Sequence, residues 1–145
     1  MSCACAGVVA ARHFTELIAW QLADLLRQEV IAFTGKPPVC WDRRFCSDIR
    51  GSAESACSNT AEGFGRFRPT DFLRSLEIAR GELEETQDHL KSALHREYLT
   101  EADHQRMWRL AVRAITANTG LQKYLRTKGR HGPVTRRQPS EPREP

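Results

Sequence analysis

Four stretches of this sequence carry apolar residues at spacings of three and four, and each stretch is bounded by glycine, proline or a residue that caps helices. Such spacing places the apolar side chains on one face of an α-helix. No stretch alternates apolar and polar residues as a half-buried strand does, and no internal repeat is present. The pattern predicts an all-α protein, an antiparallel up-down-up-down four-helix bundle with short connections.

The helix ends follow from the residues at each break. Gly35 and the prolines after it end the first predicted helix, since glycine caps a helix and proline cannot continue one. Asp42 and Thr70 are natural N-caps, and Thr100 opens a capping box with Asp103 at the third helical position. The predicted helices are Phe14–Gly35, Asp42–Gly63, Thr70–His95 and Thr100–Gly129.

The apolar faces of these helices predict the core. The third helix contributes a stripe that includes Ile78, and its other side is acidic. The second helix is rich in small residues, which let another helix approach closely. In the first helix, the residues expected to be buried are Phe14, Leu17, Ile18, Leu22, Leu25, Leu26 and Val30.

The net charge of +4 lies outside the predicted bundle. Basic and acidic residues are equal in number from Phe14 to Thr127, whereas Lys128–Pro145 contains five basic and two acidic residues. This last segment is also rich in proline, a composition that cannot form a core. We therefore expect a flexible N-terminus at residues 1–12, the bundle at 13–128 and a disordered basic tail at 129–145.

The composition also excludes several classes of protein. No apolar run approaches the ~18 residues that suggest a membrane span, and the weakly polar opening is short for the core of an export signal. The five cysteines are odd in number and form no CxxC pair, which argues against a disulfide framework or a zinc site. A redox pair of Cys40 and Cys46 is the alternative. These observations predict a cytoplasmic protein that uses no cofactor and no metal.

Side chains that could carry catalysis are not brought together by their spacing. Glu84 and Glu85 are adjacent, and adjacent residues do not converge on one point of a helix surface. Glu85 and His89 are four residues apart and could share a metal, but two ligands are too few. Because no arrangement of nucleophile, histidine and acid can be assembled from the sequence, we predict that the chain is not an enzyme.

The fourth predicted helix and the tail are strongly basic. Residues 104–140 contain nine Lys or Arg and no Asp or Glu, with Trp108 and Tyr124 as the only interleaved candidates for base stacking. At ~100° per residue the first three arginines lie within roughly 60° of one another. Such a cationic ridge can contact phosphates; the alternative is a solvated face, or one paired with the acidic third helix. The candidate nucleic-acid-binding residues are Arg106, Arg109, Arg113, Lys123, Arg126, Lys128 and Arg130.

The segment Ser58–Arg66 is the most distinctive motif. It is not a phosphate loop, because no strand precedes it and no Gly-Lys-Ser/Thr follows. Glu62 and Arg66 are four residues apart and can pair, the two glycines allow a tight exit from the helix, and Phe64 can anchor that exit by burial. We predict a structural or subunit-interface role for a set of residues comprising Asn59, Glu62, Gly63, Phe64, Gly65, Arg66 and, in the third helix, Arg80.

These motifs resemble one family, the bacterial four-helix bundle proteins, also called 23S rRNA intervening-sequence proteins. The resemblance covers about Phe14 to Leu125. It is carried by the Leu-x-x-Trp-Gln of Phe14–Gln21, by Ile49-Arg50 followed by Ser58–Arg66, and by Phe72-Leu73 and Ala79-Arg80-Gly81 with Leu83 and Glu85.

The resemblance implies a bundle that assembles as a ring-like homopentamer, and it implies nothing catalytic. A more distant branch, the accessory proteins of diversity-generating retroelements, forms a pentameric barrel that binds nucleic acid and a reverse transcriptase. The sequence departs from the family pattern in several places. Cys57 stands where proline is frequent, Thr60 stands where isoleucine is frequent, Glu54 and Ser55 make the second helix more polar, and the tail after Gly129 extends beyond the typical family end. We expect Cys57 to remove a kink from the second helix and Thr60 to weaken packing.

Together the residues and the resemblance predict a non-enzymatic, homo-oligomeric bundle that binds RNA or DNA through its basic fourth helix and tail. The alternative is a protein-interaction scaffold. Its basic surface would recognise an acidic partner, such as the product of a neighbouring gene or a reverse transcriptase.

Overall fold

The computed structural model describes residues 11–66 and 68–129. In these ranges the chain forms four α-helices, two short 3-10 helices and no β-strand. Each α-helix packs against the next one in the sequence, and the last closes the bundle against the first, so the predicted all-α four-helix bundle is confirmed. The predicted tail beyond residue 129 lies outside the described residues. The α-helices are α1 (Ile18–Thr34), α2 (Arg43–Gly65), α3 (Pro69–His95) and α4 (Glu101–Gly129), and the 3-10 helices are Phe14–Glu16 and Val39–Trp41.

Three helix ends are set by the residues that predicted them. Gly35 is the C-cap of α1. The Asp42 carboxylate accepts a hydrogen bond from the backbone N–H of Phe45 at 3.2 Å and caps α2. The Thr100 hydroxyl accepts one from the N–H of Asp103 at 3.1 Å and caps α4. Each cap satisfies a backbone group that a helix end leaves without a partner.

Two predicted helix starts are wrong. Phe14 begins a 3-10 turn, after which Leu17 is extended (φ −74°, ψ 125°) and the α-helix starts at Ile18. Thr70 is not the N-cap of α3, because α3 begins one residue earlier at Pro69 and has no side-chain cap. Proline suits the first helical position, since its φ is already fixed and its missing N–H has no helical partner to lose.

The core consists of two apolar clusters that together run the length of the bundle. The smaller cluster lies at the end where α1 begins and α4 finishes, around Leu76 and Leu121. All four helices contribute, which is why no helix can be removed without exposing the others. The largest of the side chains that are at most 1% exposed are Leu26, Ile49, Leu76, Leu83, Leu90 and Met107.

Three apolar residues that the sequence assigned to the core are about half exposed. The exposed fractions are 50% for Ile18, 48% for Leu25 and 48% for Ile78. The spacing rule places them on the apolar side of their helices, but each lies at the edge of the buried arc and not at its centre. Ile18 and Leu25 are seven residues apart and therefore lie on one line along α1.

A chain of hydrogen bonds links α3 to α4 inside the bundle. The side-chain amide of Asn118, which is 1% exposed, donates to the backbone carbonyl of Leu76 at 3.0 Å. Its oxygen accepts from the amide of Gln122 at 2.6 Å. Gln122 accepts in turn from Arg126 at 3.3 Å, and Arg126 forms a salt bridge with Glu77 at 3.2 Å. The buried amides are thus satisfied.

Polar contacts also join the other helix pairs. The hydroxyls of Ser52 on α2 and Thr86 on α3 are hydrogen bonded at 2.8 Å. Arg50 on α2 donates to the hydroxyl of Thr34 on α1 at 2.7 Å. Thr60 is buried, but its hydroxyl donates to a backbone carbonyl one turn earlier at 2.8 Å, so the polar atom is satisfied where isoleucine is frequent in the family pattern.

The Asp42 carboxylate joins the two connections at one end of the bundle. Besides capping α2, it accepts hydrogen bonds from the Tyr98 hydroxyl at 2.8 Å and from the Arg96 guanidinium at 2.9 Å. The hydrogen bond from Tyr98, then that from Phe45 N–H and the charge of Arg96, lower the pKa of Asp42. The α1–α2 connection is thereby fixed to the α3–α4 connection.

We expect Asp42→Asn to make the free energy of unfolding depend less on pH in the acidic range. The folded-state pKa of Asp42 lies below its unfolded value of ~3.9. Its contribution is therefore fully present above that pH and is lost as the pH falls through the folded pKa. Urea unfolding at a series of pH values should show the variant less stable at neutral pH and the two proteins converging below about pH 4. Parallel curves would contradict the prediction; Asp48→Asn, an exposed carboxylate on the same helix, is the control.

Candidate nucleic-acid interface

The outward side of α4 carries cations that have no carboxylate partner in the part of the chain that the structure describes. Arg109, Arg113 and Lys123 are exposed, and none of them forms a salt bridge with any other residue that the structure describes. At ~100° per residue they span about 80° of the helix, opposite the buried Met107 and Ala111. We call these three residues the cationic face.

Two other predicted cations are held by acids of neighbouring helices. Arg106 forms salt bridges with Glu29 of α1 and, at 3.1 Å, with Asp103 of its own helix. The hydrogen bond to Glu29 is the main cause that raises the pKa of Arg106. Arg126 pairs with Glu77 of α3. The structurally paired alternative for the basic fourth helix therefore applies to these two residues and not to the cationic face.

Lys128 and Arg130 complete the predicted set of cations, and Trp108 and Tyr124 are the predicted stacking residues. The side chain of Lys128 and the whole of Arg130 lie outside the described residues. Trp108 stacks on His104 with ring centroids 5.6 Å apart, and Tyr124 packs against the smaller apolar cluster. Both aromatic rings are thus engaged by their own helix or by the core.

A groove between α1 and α4 adjoins the cationic face. Its volume is about 450 Å³. Leu25 and Leu110 give it an apolar lining, and arginines of α4 stand along it. The sequence did not predict this groove because Leu25 was assigned to the core. The residues that line it are Leu25, Gln28, Glu29, Arg106, Met107, Arg109, Leu110 and Arg113.

The motif from Ser58 to Arg66 forms the last turns of α2 and its C-cap. The Asn59 amide donates to the carbonyl of Ser55 at 2.9 Å. Glu62 and Arg66 form an ion pair on the surface, and the hydrogen bond that Arg66 donates to the Glu62 carboxylate raises the pKa of its guanidinium. These hydrogen bonds and this ion pair therefore join residues of α2 and its C-cap to one another.

Gly63 has a different role from the predicted one. A Cβ atom at this position would lie 2.6 Å from the Cβ of Ser75 and 2.8 Å from a ring carbon of Phe72 on α3. Its neighbour Phe64 is buried, and the rings of Phe64 and Phe72 meet edge-on with centroids 6.2 Å apart. A Cβ atom on Gly65 would meet nothing within 4 Å. Gly63 thus permits α2 to lie tight against α3, and it lies inside the helix and not at its exit.

The described cysteines are free thiols. Cys57 is buried, and burial raises its pKa to about 11, so its reactive thiolate is scarce at neutral pH. It stands within α2, which continues without interruption to Gly65. The Cys46 thiol donates to the carbonyl of Val39 at 3.2 Å.

The other candidate residues of α3 also pair along their own helix. Arg80 contacts Glu84 at 3.5 Å, and His89 contacts Glu85 at 3.4 Å. Among the described residues there is no group of three or more His, Cys, Asp or Glu that could hold a metal ion. Pairing of this kind could be predicted from the sequence because the partners are four residues apart on one helix.

No helix in the described part of the chain is long and apolar enough to cross a membrane.

Comparison with known proteins identifies the family. No curated protein matches the chain. The family model described as 23S rRNA-intervening sequence protein matches residues 15–118, which include Arg109 and Arg113 but not Lys123. This match spans most of the chain and parts of all four helices, and the chain therefore belongs to the 23S rRNA-intervening sequence protein family.

Proposed function

We propose that this protein is a non-enzymatic, homo-oligomeric bundle that binds RNA or DNA through the cationic face of α4, aided by its basic tail. The observation that supports this most is the row formed by Arg109, Arg113 and Lys123, which lack carboxylate partners among the described residues. The first and last of them are 14 residues apart, or ~21 Å along a helix. That is about the length of six base pairs of duplex.

Unpaired cations are the right chemistry for phosphate. When a lysine or arginine contacts a phosphate, counterions are released from the nucleic acid, and this release drives binding. Arg106 and Arg126 already have carboxylate partners and would have to give them up. The three residues of the cationic face have no carboxylate partner among the described residues to give up, and Arg109 donates only to the backbone carbonyl of Gln105 at 3.3 Å, so we assign the phosphate contacts to them.

Two buried thiols have structural surroundings, which supports a non-enzymatic function. The Cys57 thiol is buried with a pKa of about 11, and the Cys46 thiol is hydrogen bonded to a backbone carbonyl. The free thiols also support a reducing compartment, the cytoplasm.

Self-association is proposed to use the α1–α4 side of the bundle. Ile18 and Leu25 form an exposed apolar line there, and apolar surface bordered by charge marks interaction sites. On α3 the exposed Ile78 lies near Glu82 and Glu85 in the sequence. Exposed apolar residues on two different sides of the bundle suit a head-to-tail contact that closes into a ring. Five copies is the number that the family resemblance implies.

Leu25→Glu is therefore expected to reduce the protein to its 16.5 kDa monomer. A carboxylate on the exposed apolar line would be desolvated in the contact, and burying an unpaired charge is costly. Light scattering coupled to gel filtration measures the mass. Ile31→Glu is the matched control, because Ile31 is 43% exposed and lies ~120° away on the same helix. A wild-type protein that is already monomeric at micromolar concentration, or an oligomer that survives Leu25→Glu, would count against this interface.

The nucleic-acid proposal is tested by binding to a labelled panel of RNA and DNA at several salt concentrations, with the full chain and with a chain ending at Thr127. We expect affinity to fall linearly with the logarithm of salt concentration and to weaken on truncation. If nothing binds at low salt, the cationic face serves a different partner.

A second candidate function is supported by the α1–α4 groove. Its apolar lining beside Arg109 and Arg113 fits an acidic amphipathic helix from a protein partner such as a reverse transcriptase. Competition distinguishes the two functions: unrelated nucleic acid would displace a nucleic-acid ligand and leave a helix in the groove.

A further inference from the structure

The most exposed large apolar side chain among the described residues is Trp41, at 75%. The other members of that group are at most 50% exposed. Trp41 lies in the connection between α1 and α2, on the 3-10 helix Val39–Trp41. An indole held in water contributes nothing to the core, and it offers a large flat apolar face to a binding partner.

The segment that carries Trp41 is fixed at both ends. Val39 is 3% exposed and anchors it in the larger cluster. Backbone hydrogen bonds join Trp41 N–H to the carbonyl of Pro38 at 3.1 Å and Asp42 N–H to that of Val39 at 2.9 Å. Asp42 is held in turn by Tyr98 and the α3–α4 connection. The ring is thus presented on a firm base, which limits the ordering cost of binding.

The charges on this segment are mainly positive. Residues 36–44 contain Lys36, Arg43 and Arg44 and one acid, Asp42. Asp42 is already occupied by hydrogen bonds from within the bundle. Exposed carboxylates at this end of the bundle, such as Glu97, belong to the α3–α4 connection and to the start of α4. Arg44 forms a salt bridge with the exposed Asp48 at 3.9 Å, so the cations beside Trp41 that have no carboxylate partner among the described residues are Lys36 and Arg43.

The segment lies at the same end of the bundle as the start of α4. Asp42 accepts a hydrogen bond from Tyr98, which lies in the connection that leads into α4. The pKa of Asp103 in the first turn of α4 is lowered by hydrogen bonds with Arg106 and Thr100, and the charge of Lys36 adds to this effect. A strand that follows the cationic face toward the start of α4 therefore runs toward the end of the bundle that carries Trp41.

We propose that Trp41 is a stacking platform for an unpaired base, so that the ligand of the cationic face is a single-stranded nucleic acid. The inference rests on the proposed function and adds the class of ligand. In a duplex both faces of each internal base are covered by its neighbours, whereas every base of a single strand offers a face to an aromatic ring. Cations beside the ring would hold the phosphates on either side of the stacked base.

The test compares one oligonucleotide, as a single strand and as a duplex, for binding to the full chain. We expect tighter binding of the single strand. Trp41→Ala should weaken that binding about tenfold, the loss typical of one base stacked on an aromatic ring, and should leave duplex binding unchanged. Trp41→Phe should restore most of the affinity. Ile31→Ala, an exposed apolar residue on α1, is the matched control and should have no effect.

Tryptophan fluorescence gives an independent signal. The other two tryptophans, Trp20 and Trp108, are partly buried, so quenching by a single strand should come mainly from Trp41 and should disappear in Trp41→Phe. If the wild-type protein binds no nucleic acid, the proposed function itself fails. Should single strand and duplex bind equally, with Trp41→Ala unaltered, the function stands and this inference is overturned. If Trp41→Ala changed only the mass of the oligomer, the indole would contact another protein chain, and the inference would also be overturned.

Discussion

Gly63→Val is expected to lower the free energy of unfolding by about 3 kcal/mol, the upper part of the range for overpacking a well-packed site. The reason is the tight contact of α2 with α3. The first carbon of any side chain at this position would lie 2.6 Å from the Cβ of Ser75 and 2.8 Å from the ring of Phe72. The two helices must separate to admit it, and the edge-on contact of Phe64 with Phe72 would be lost with them. Urea unfolding followed by circular dichroism measures the change.

Another glycine of the same helix provides a control, because its substitution is expected to raise the free energy of unfolding and not to lower it. Gly51 is exposed within α2, and a Cβ atom there would meet nothing within 4 Å. Gly51→Ala should therefore raise the free energy of unfolding by up to about 1 kcal/mol, the difference in helix propensity between the two residues. If Gly63→Val were as stable as the wild type, the close approach of α2 to α3 would not be a feature of the folded protein.

The second large effect concerns the cationic face. Replacing Arg109, Arg113 and Lys123 together by alanine should weaken binding of a single strand roughly a hundredfold at about 0.1 M salt. Each phosphate contact contributes about 0.7 to the slope of log affinity against log salt for single strands. Three contacts therefore contribute about 2 to this slope. Their contribution to the affinity thus increases about a hundredfold between 1 M and 0.1 M salt. The measurement is a titration at several salt concentrations, from which both the affinity and the slope are read.

The matched control replaces the two paired arginines. Arg106→Gln with Arg126→Gln removes two positive charges from the same helix, but those charges are already engaged by Glu29 and Glu77. We expect this variant to keep most of the wild-type slope. If both variants lost affinity equally, binding would depend on the total charge of α4, and the distinction between paired and unpaired cations would have no functional meaning.

Most of the fold could be predicted from the sequence, because apolar spacing and helix caps are local signals. Asp42 and Thr100 cap the helices that they were expected to cap. The errors arise where the tertiary arrangement decides. Ile18 and Leu25 follow the apolar spacing of α1, yet they are half exposed, since the width of the buried arc depends on how closely the neighbouring helix approaches.

Much less of the candidate site could be predicted. The sequence showed that α4 is basic, but Glu29 is 77 residues from Arg106 in the chain, and no spacing rule connects them. The division of the cations into paired and unpaired sets therefore appears only in the folded chain. Similarly, Gly63 looked like a helix terminator because its partners, Ser75 and Phe72, lie across a turn on the next helix.

The hydrogen-bonded amides between α3 and α4 have a consequence for the outer surface. Many of the apolar contacts of α4 are made by small residues such as Ala111 and Ala114, and contacts between alanines differ little if one helix slides along another. Sliding α4 by half a turn, ~2.7 Å, would separate the Asn118 amide from the Leu76 carbonyl and leave a buried polar group without a partner, which is costly. The Asn118–Leu76 hydrogen bond and the Arg126–Glu77 salt bridge both cross from α4 to α3, so together they define the axial position of α4 and fix where Arg113 stands beside the groove between α1 and α4. The contacts that set the axial position of α4 thus also determine where its charged side chains lie on the surface.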